Sequence, residues 1–156
     1  MWLEDFHVGD HLRSPEILVT AEEIVTFARA YDPQPGHLSQ EQALATPFKG
    51  LAASGWHTAA ISMRLFVDMG FSEMVGAGVT LDWPTPTRPG DRLHLEIRVT
   101  EVRESRTKPD RGIVVVEYDT QNQDGECRQR TSTRIMVWHK PRPVIGGVVL
   151  SGSRGE

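Results

Sequence analysis

From residue 93 to residue 99 apolar and polar side chains alternate without a break. Leu93, Leu95, Ile97 and Val99 are interleaved with His94, Glu96, Arg98 and Thr100. A two-residue period sends each set to its own face, which predicts a strand with one buried face. The period returns from Arg128 to Trp138, where Gln129, Thr131, Thr133, Ile135 and Val137 share a face. Between them, residues 113–118 are rich in β-branched side chains, and Asn122-Gln123-Asp124-Gly125 predicts a hairpin turn because Asp-Gly tolerates positive φ. Strand character begins near Val75, and an earlier extended segment is expected over residues 11–19.

Before residue 70 the period is helical. Thr20-Ala21-Glu22-Glu23 is a capping box, and Ile24, Phe27, Ala28 and Tyr31 follow at helical spacing. This helix must stop near Asp32, because a residue before proline avoids the α region. Ser39-Gln40-Glu41-Gln42 predicts a second, short helix ending before Pro47. A third is predicted over residues 54–69, with Ser54 as its N-cap and Gly70 as its C-terminal cap. Its stripe of Trp56, Ala59, Ala60, Met63 and Val67 is widened by Ile61, Leu65 and Phe66. A helix apolar around most of its circumference is expected to be buried.

Helices followed by strands argue for an α+β fold. A curved antiparallel sheet wrapped around the long central helix would give that helix its cover, which is the hotdog architecture. One such domain is expected over residues 1–145. Pro141, Pro143 and Gly146-Gly147 mark the end of regular structure, with a flexible tail at 146–156. A single sheet leaves an edge strand open, so a homodimer or a dimer of dimers is expected.

Composition narrows the function. With 156 residues the chain fits one domain with a real core. A net charge of −4 gives no footprint for nucleic acid. The single Cys127 excludes an internal disulfide framework and a multi-cysteine metal site, and it suits a reducing cytoplasm. Met1-Trp2-Leu3-Glu4-Asp5 is acidic where a signal peptide is basic, and no apolar run approaches a membrane span, so a cytoplasmic protein is expected.

The chemistry concentrates in Tyr31-Asp32-Pro33-Gln34-Pro35-Gly36-His37 and in Ala52-Ala53-Ser54-Gly55-Trp56-His57. An acid and an imidazole stand five positions apart in a segment that proline and glycine stiffen. Downstream, a small-residue turn opens the long helix. A carboxylate, an imidazole and a helix N-terminus are the parts that activate water beside a polarised carbonyl.

Asp32, Gln34-Pro35, His37 and Gly55 resemble the signature of the MaoC-like dehydratases, a family that includes the R-specific enoyl-CoA hydratases. Pro84 and Arg88-Pro89-Gly90-Asp91 resemble its connection after the central helix, and the likeness runs from Phe6 to Lys140. Gln34 stands where the family usually has Asn, and Ser54 where several members have His. The resemblance implies hydration of a 2-enoyl-CoA or dehydration of the 3-hydroxyacyl-CoA. Asp32 and His37 would both hold the water, and one of them would return a proton to C2 on the same face; the Gly55 amide, in the first turn of the long helix, is the candidate donor to the thioester oxygen. The acyl-CoA thioester is then the partner, and no cofactor is expected beyond the coenzyme A that the substrate carries.

Tyr31, Gln34, Ser54, Trp56, Trp83 and Arg88 are the substrate-binding candidates. Tyr31 and Trp83 would line an acyl tunnel, or belong to the core. Gln34 would orient the acid–base segment. Arg88 is a phosphate candidate at the tunnel mouth, ahead of the cluster Arg103, Arg106, Lys108 and Arg111. His57 is expected to be a satisfied structural histidine. Two alternatives stand beside hydration. One is a hotdog thioesterase, for which the long helix offers only Asp68. The other is a non-catalytic acyl-CoA-binding subunit, which the Gln34 and Ser54 departures would suit.

Overall fold

The computed structural model describes residues 1–71, 74–141, 144–145 and 148–149. A 3-10 turn, Leu3–Asp5, leads into β1 (His11–Arg13) and β2 (Ile17–Leu18). The expected opening strand is thus two short ones, parted at Pro15, which has no N–H for a sheet ladder. Helix α1 (Ala21–Tyr31) starts on the predicted capping box: the Glu23 amide donates to Thr20 Oγ1 at 3.2 Å, and the Thr20 amide donates to Glu23 Oε2 at 2.9 Å. It ends at Asp32, as the following proline requires.

Two short helices follow. α2 (Pro35–Leu38) was expected only as stiffened loop. Proline at the first helical position was its signal, since φ there is preset and the missing N–H has no acceptor to lose. α3 (Gln40–Leu44) forms on the Ser39 cap, whose hydroxyl accepts from the Gln42 amide at 3.2 Å. Helix α4 (Gly55–Asp68) is capped by Ser54 and closed by Gly70 at φ 94°.

Four long strands then alternate: β3 (Met74–Asp82), β4 (Arg92–Glu104), β5 (Arg111–Gln121) and β6 (Cys127–Trp138). The sheet is antiparallel in the order β1-β4-β5-β6-β3, with β2 also on β4. Asn122 builds the predicted β5–β6 turn: its Oδ1 accepts from the amides of Asp124 and Glu126, and Gly125 takes φ 77°. Among the described residues β3 pairs only with β6, which leaves its other edge open there. Beyond the expected end of regular structure, β7 (Val144–Ile145) pairs with β8 (Val148–Val149). The rest of the tail expected at 146–156 lies outside the described residues.

The core lies between the sheet and α4. Leu93, Leu95, Ile97 and Val99 of β4 are buried, as are Val114 and Val116 of β5 and Ile135 and Val137 of β6. Phe66 of α4 stacks on Phe71 and Tyr118. The buried face of α4 differs from the one expected. His57, Thr58, Ser62, Leu65 and Phe66 point inward, while Trp56, Ala60, Met63 and Val67 are exposed. The sheet side offers the hydroxyls partners: Ser62 Oγ meets Thr120 Oγ1 at 2.8 Å, and Thr58 Oγ1 donates to Thr87 Oγ1 at 2.9 Å. Periodicity identifies apolar positions, but not which face of a largely apolar helix meets the sheet.

Candidate active site

Asp32 leaves the end of α1, and Pro33-Gln34-Pro35 turns the chain into α2, where His37 sits in the single turn. The turn brings the two side chains face to face, with His37 Nε2 3.7 Å from Asp32 Oδ2. Neither is in bulk solvent: the side chains are 4% and 18% exposed, respectively. His37 Nδ1 lies 2.7 Å from the carbonyl oxygen of Ala52. A carbonyl only accepts, so Nδ1 carries the hydrogen, and in the neutral ring the Nε2 lone pair faces Asp32. Phe48 packs against the ring at 5.1 Å between centroids.

Asp32 is held on both oxygens. Ser54 Oγ donates to Oδ2 at 2.6 Å, and Gln34 Nε2 donates to Oδ1 at 2.7 Å. The Ser54 bond is the chief cause that keeps the Asp32 carboxyl below its usual range; burial opposes it, and Gln34 and His37 add to it. Asp32 is therefore an acceptor at neutral pH. Gln34, expected to orient the acid–base segment, reaches Asp32 with its side-chain amide.

The Ser54 hydroxyl also accepts from the Trp56 amide at 3.2 Å, so one residue caps α4 and fixes the acid. Gly55 is the next residue and the first of α4. First-turn amides lack intrahelical acceptors and sit at the positive end of the helix dipole. Among the described residues the Gly55 N–H is paired with no acceptor. Glycine is required there for space: a Cβ would come within 2.7 Å of the Trp83 indole.

The aromatic candidates are placed differently. Trp83 lies against Gly55, donates from Nε1 to Gln129 Oε1 at 2.9 Å, and meets Trp56 edge-on at 5.4 Å. Trp56 is 62% exposed and shares the outward face of α4. Tyr31 is 77% exposed, packs on Phe27, and does not join the acid–base pair within this chain.

Arg88, the phosphate candidate, turns its terminal nitrogens into the chain. Its terminal nitrogens donate to the carbonyls of Phe48, Gly50 and Leu51. Of the other basic cluster, Arg103 pairs with Glu101 and Arg111 with Asp110. That hairpin lies by Leu3, at the end of β5 remote from the Asn122 turn. His57 is buried and stacks flat on Phe27, but its Nδ1 has no partner among the described residues, which corrects the expectation of a satisfied ring. Burial lowers its pKa and keeps it neutral. Asp68, the one carboxylate of α4, is at the far end and pairs with Arg64. A depression of about 430 Å³ on the outer sheet face, bounded by Glu96, Arg98, Glu117, Asp119 and Arg130, touches none of the site residues. Among the described residues no group of His, Cys, Asp and Glu is arranged to hold a metal ion.

The sheet folded over one long helix, with a carboxylate and an imidazole facing each other near that helix's N-terminus, defines a hotdog protein. The chain belongs to the MaoC-like family: the family model described as MaoC like domain matches residues 5–122. A crystal structure of a MaoC-like dehydratase from Rhodospirillum rubrum is 49% identical, with a TM-score of 0.86 over 90% of this chain and 99% of that one. The uncharacterized protein YdeM of Bacillus subtilis (strain 168) is 32% identical over 127 residues, 79% of this chain and 89% of its own length. R-hydratase PhaJ1 from Pseudomonas aeruginosa shares the fold at 22% identity, with a TM-score of 0.72 over 99% of this chain and 96% of that one.

Proposed function

We propose that this chain adds water to a 2-enoyl-CoA thioester, or removes it from the 3-hydroxyacyl-CoA. The observation that carries the proposal is the Asp32–His37 pair, two acceptor atoms 3.7 Å apart at the entrance to α4. A water donating one hydrogen to Asp32 Oδ2 and the other to His37 Nε2 directs its oxygen lone pair outward, toward C3 of the substrate. As the C3–O bond forms, Nε2 takes the water proton, and electron density moves through C2 to the thioester oxygen. The Gly55 amide receives that charge. A preorganised donor of this kind contributes on the order of 3 kcal/mol. The proton on Nε2 then passes to C2 on the same face, and the ring returns to its starting form.

The membership of the MaoC-like family and the R-hydratase fold neighbour support this chemistry. The thioesterase alternative loses its motive because Asp68 is remote and paired. On the proposed reading the enzyme is a cytoplasmic homodimer in acyl-CoA metabolism. Two features support the dimer: the open edge of β3 and the exposed apolar face of α4 next to Trp83. Trp56, Trp83 and Tyr31 would then meet the acyl chain where the second copy closes the slot. No helix is long and apolar enough to cross a membrane among the described residues.

The purified protein should consume the conjugated absorbance of short or medium 2-enoyl-CoA esters and yield 3-hydroxyacyl-CoA without free thiol. Release of free CoA with no hydroxyacyl product contradicts the proposal and favours hydrolysis. Saturable binding of the CoA esters without any conversion points instead to a non-catalytic subunit.

A further inference from the structure

We propose that Arg88 is a positioning residue for His37: it gathers the carbonyls of the loop before α4 so that the next one, Ala52, sits under the imidazole. The inference rests on His37 acting as the base proposed above. Arg88 Nη1 donates to Gly50 O at 2.8 Å and to Leu51 O at 3.2 Å, and Nη2 donates to Phe48 O. The loop is bent to make this possible. Lys49 takes φ 55°, a left-handed conformation that a side chain disfavours, and Gly50 follows at φ 148°. Without a cation at their focus, three convergent carbonyl dipoles would repel one another.

Two contacts of the His37 ring, besides its approach to Asp32, come from this clamped segment. The Phe48 ring packs beside it, and the Ala52 carbonyl accepts from Nδ1 at 2.7 Å. Gly36 leaves the space that Phe48 fills, since a Cβ there would lie 2.5 Å from the ring. Arg88 itself stands on a rigid base. Its amide donates to Asp91 Oδ2 at 2.8 Å, and that buried carboxylate also takes Arg128 Nε at 2.8 Å and Asn122 Nδ2 at 3.1 Å. Thr87 O accepts from the Ala53 amide at 2.9 Å, fastening the other end of the loop. A planar guanidinium reaches several carbonyls in one plane, which an ammonium cannot. The chain of contacts runs from the buried Asp91–Arg128 pair, through Arg88, to the tautomer of His37.

The test separates positioning from phosphate binding by comparing a 2-enoyl-CoA with the matching N-acetylcysteamine thioester, which has no phosphate. Arg88→Ala should lower kcat about a hundredfold on both, as small misplacements of a catalytic group do. KM should stay near its wild-type value, and added guanidinium ion should restore part of the rate on both substrates. A KM increase confined to the CoA ester, with kcat unchanged, makes Arg88 a phosphate ligand and overturns the proposal.

Because Arg88→Ala could fail to fold, Arg88→Lys is measured beside it by nitrogen-15 NMR of the imidazoles, with His37 assigned by its loss in His37→Asn. The wild type should hold His37 as the Nδ1–H form, and Arg88→Lys should show a mixture of tautomers. An unchanged tautomer in Arg88→Lys overturns the proposal whatever the turnover. A wild type that converts no enoyl thioester, yet shows this tautomer change, contradicts the hydratase assignment alone.

Discussion

At the scale of residues, the Ser54 hydroxyl does two things at once. It donates to Asp32 Oδ2 and accepts from the Trp56 amide, so removing it affects both the acid and the helix cap. Ser54→Ala should cost about 1 kcal/mol of stability, a usual N-cap loss. It should also move the acid limb of the kcat/KM profile to higher pH. The direction follows from charge: Asp32 must be ionised to accept from water, its pKa is held low first of all by Ser54, and without that bond it rises toward the ordinary value. Ser54→Thr keeps a hydroxyl and should keep the limb in place. An acid limb that does not move in Ser54→Ala would contradict this role. Asp32, His37 and Gly55 stood out in the sequence because proline, glycine and a five-residue spacing are local signals. The partners of His37 and Arg88 were not legible, because a main-chain carbonyl leaves no signature in the residue type and the contacts span tens of positions.

At the scale of elements, α4 shows what a pattern can and cannot tell. Its length and caps were readable from Ser54 and Gly70. Its orientation was not, because it is apolar on two sides and the sheet selected the side with Thr58 and Ser62. The side left outward carries Trp56, Ala60, Met63 and Val67, and on β3 Val75 and Val79 are exposed as well. A second copy that covers this face should make the wild type dimeric by light scattering. Met63→Glu combined with Val79→Glu should shift it to monomer and weaken activity, while circular dichroism stays native. A monodisperse wild-type monomer at micromolar concentration would argue against the covered face. The short α2 was missed for a different reason: one turn has too few positions to show a period, and only proline at its first position marked it.

At the scale of the whole molecule, the sheet's two ends have different characters. The end with Asp32, His37 and Ser54 is lined by hydroxyls and amides, while the other is closed by Leu3, Phe6, Phe66 and Phe71. That closed end is latched by His139, whose Nδ1 lies 2.7 Å from Glu4 Oε1 and whose Nε2 lies 2.9 Å from Glu104 Oε2. Both nitrogens donate only in the charged ring. The Glu4 bond is accordingly the chief cause that raises the His139 pKa, with Glu104 also contributing. A raised folded-state pKa stabilises the fold fully below the unfolded value of about 6.5, and that stabilisation is lost as pH rises through the folded value. The Tm difference between wild type and His139→Gln should therefore be largest in mild acid and shrink toward alkaline pH. A difference that is constant or grows with pH contradicts the latch. The α+β order and the wrapped helix were legible because period changes from 3.6 to 2 along the chain. The latch was not, since it joins residues 4, 104 and 139.

The account depends most on Asp32 and His37 acting together on water. The direct measurement is the initial rate of 2-enoyl-CoA hydration by wild type, Asp32→Asn and His37→Asn, each confirmed folded by thermal unfolding. Both variants should lose about a hundredfold or more, the scale expected of a general acid–base group. Wild-type rates in either folded variant would mean that this pair does not perform the chemistry.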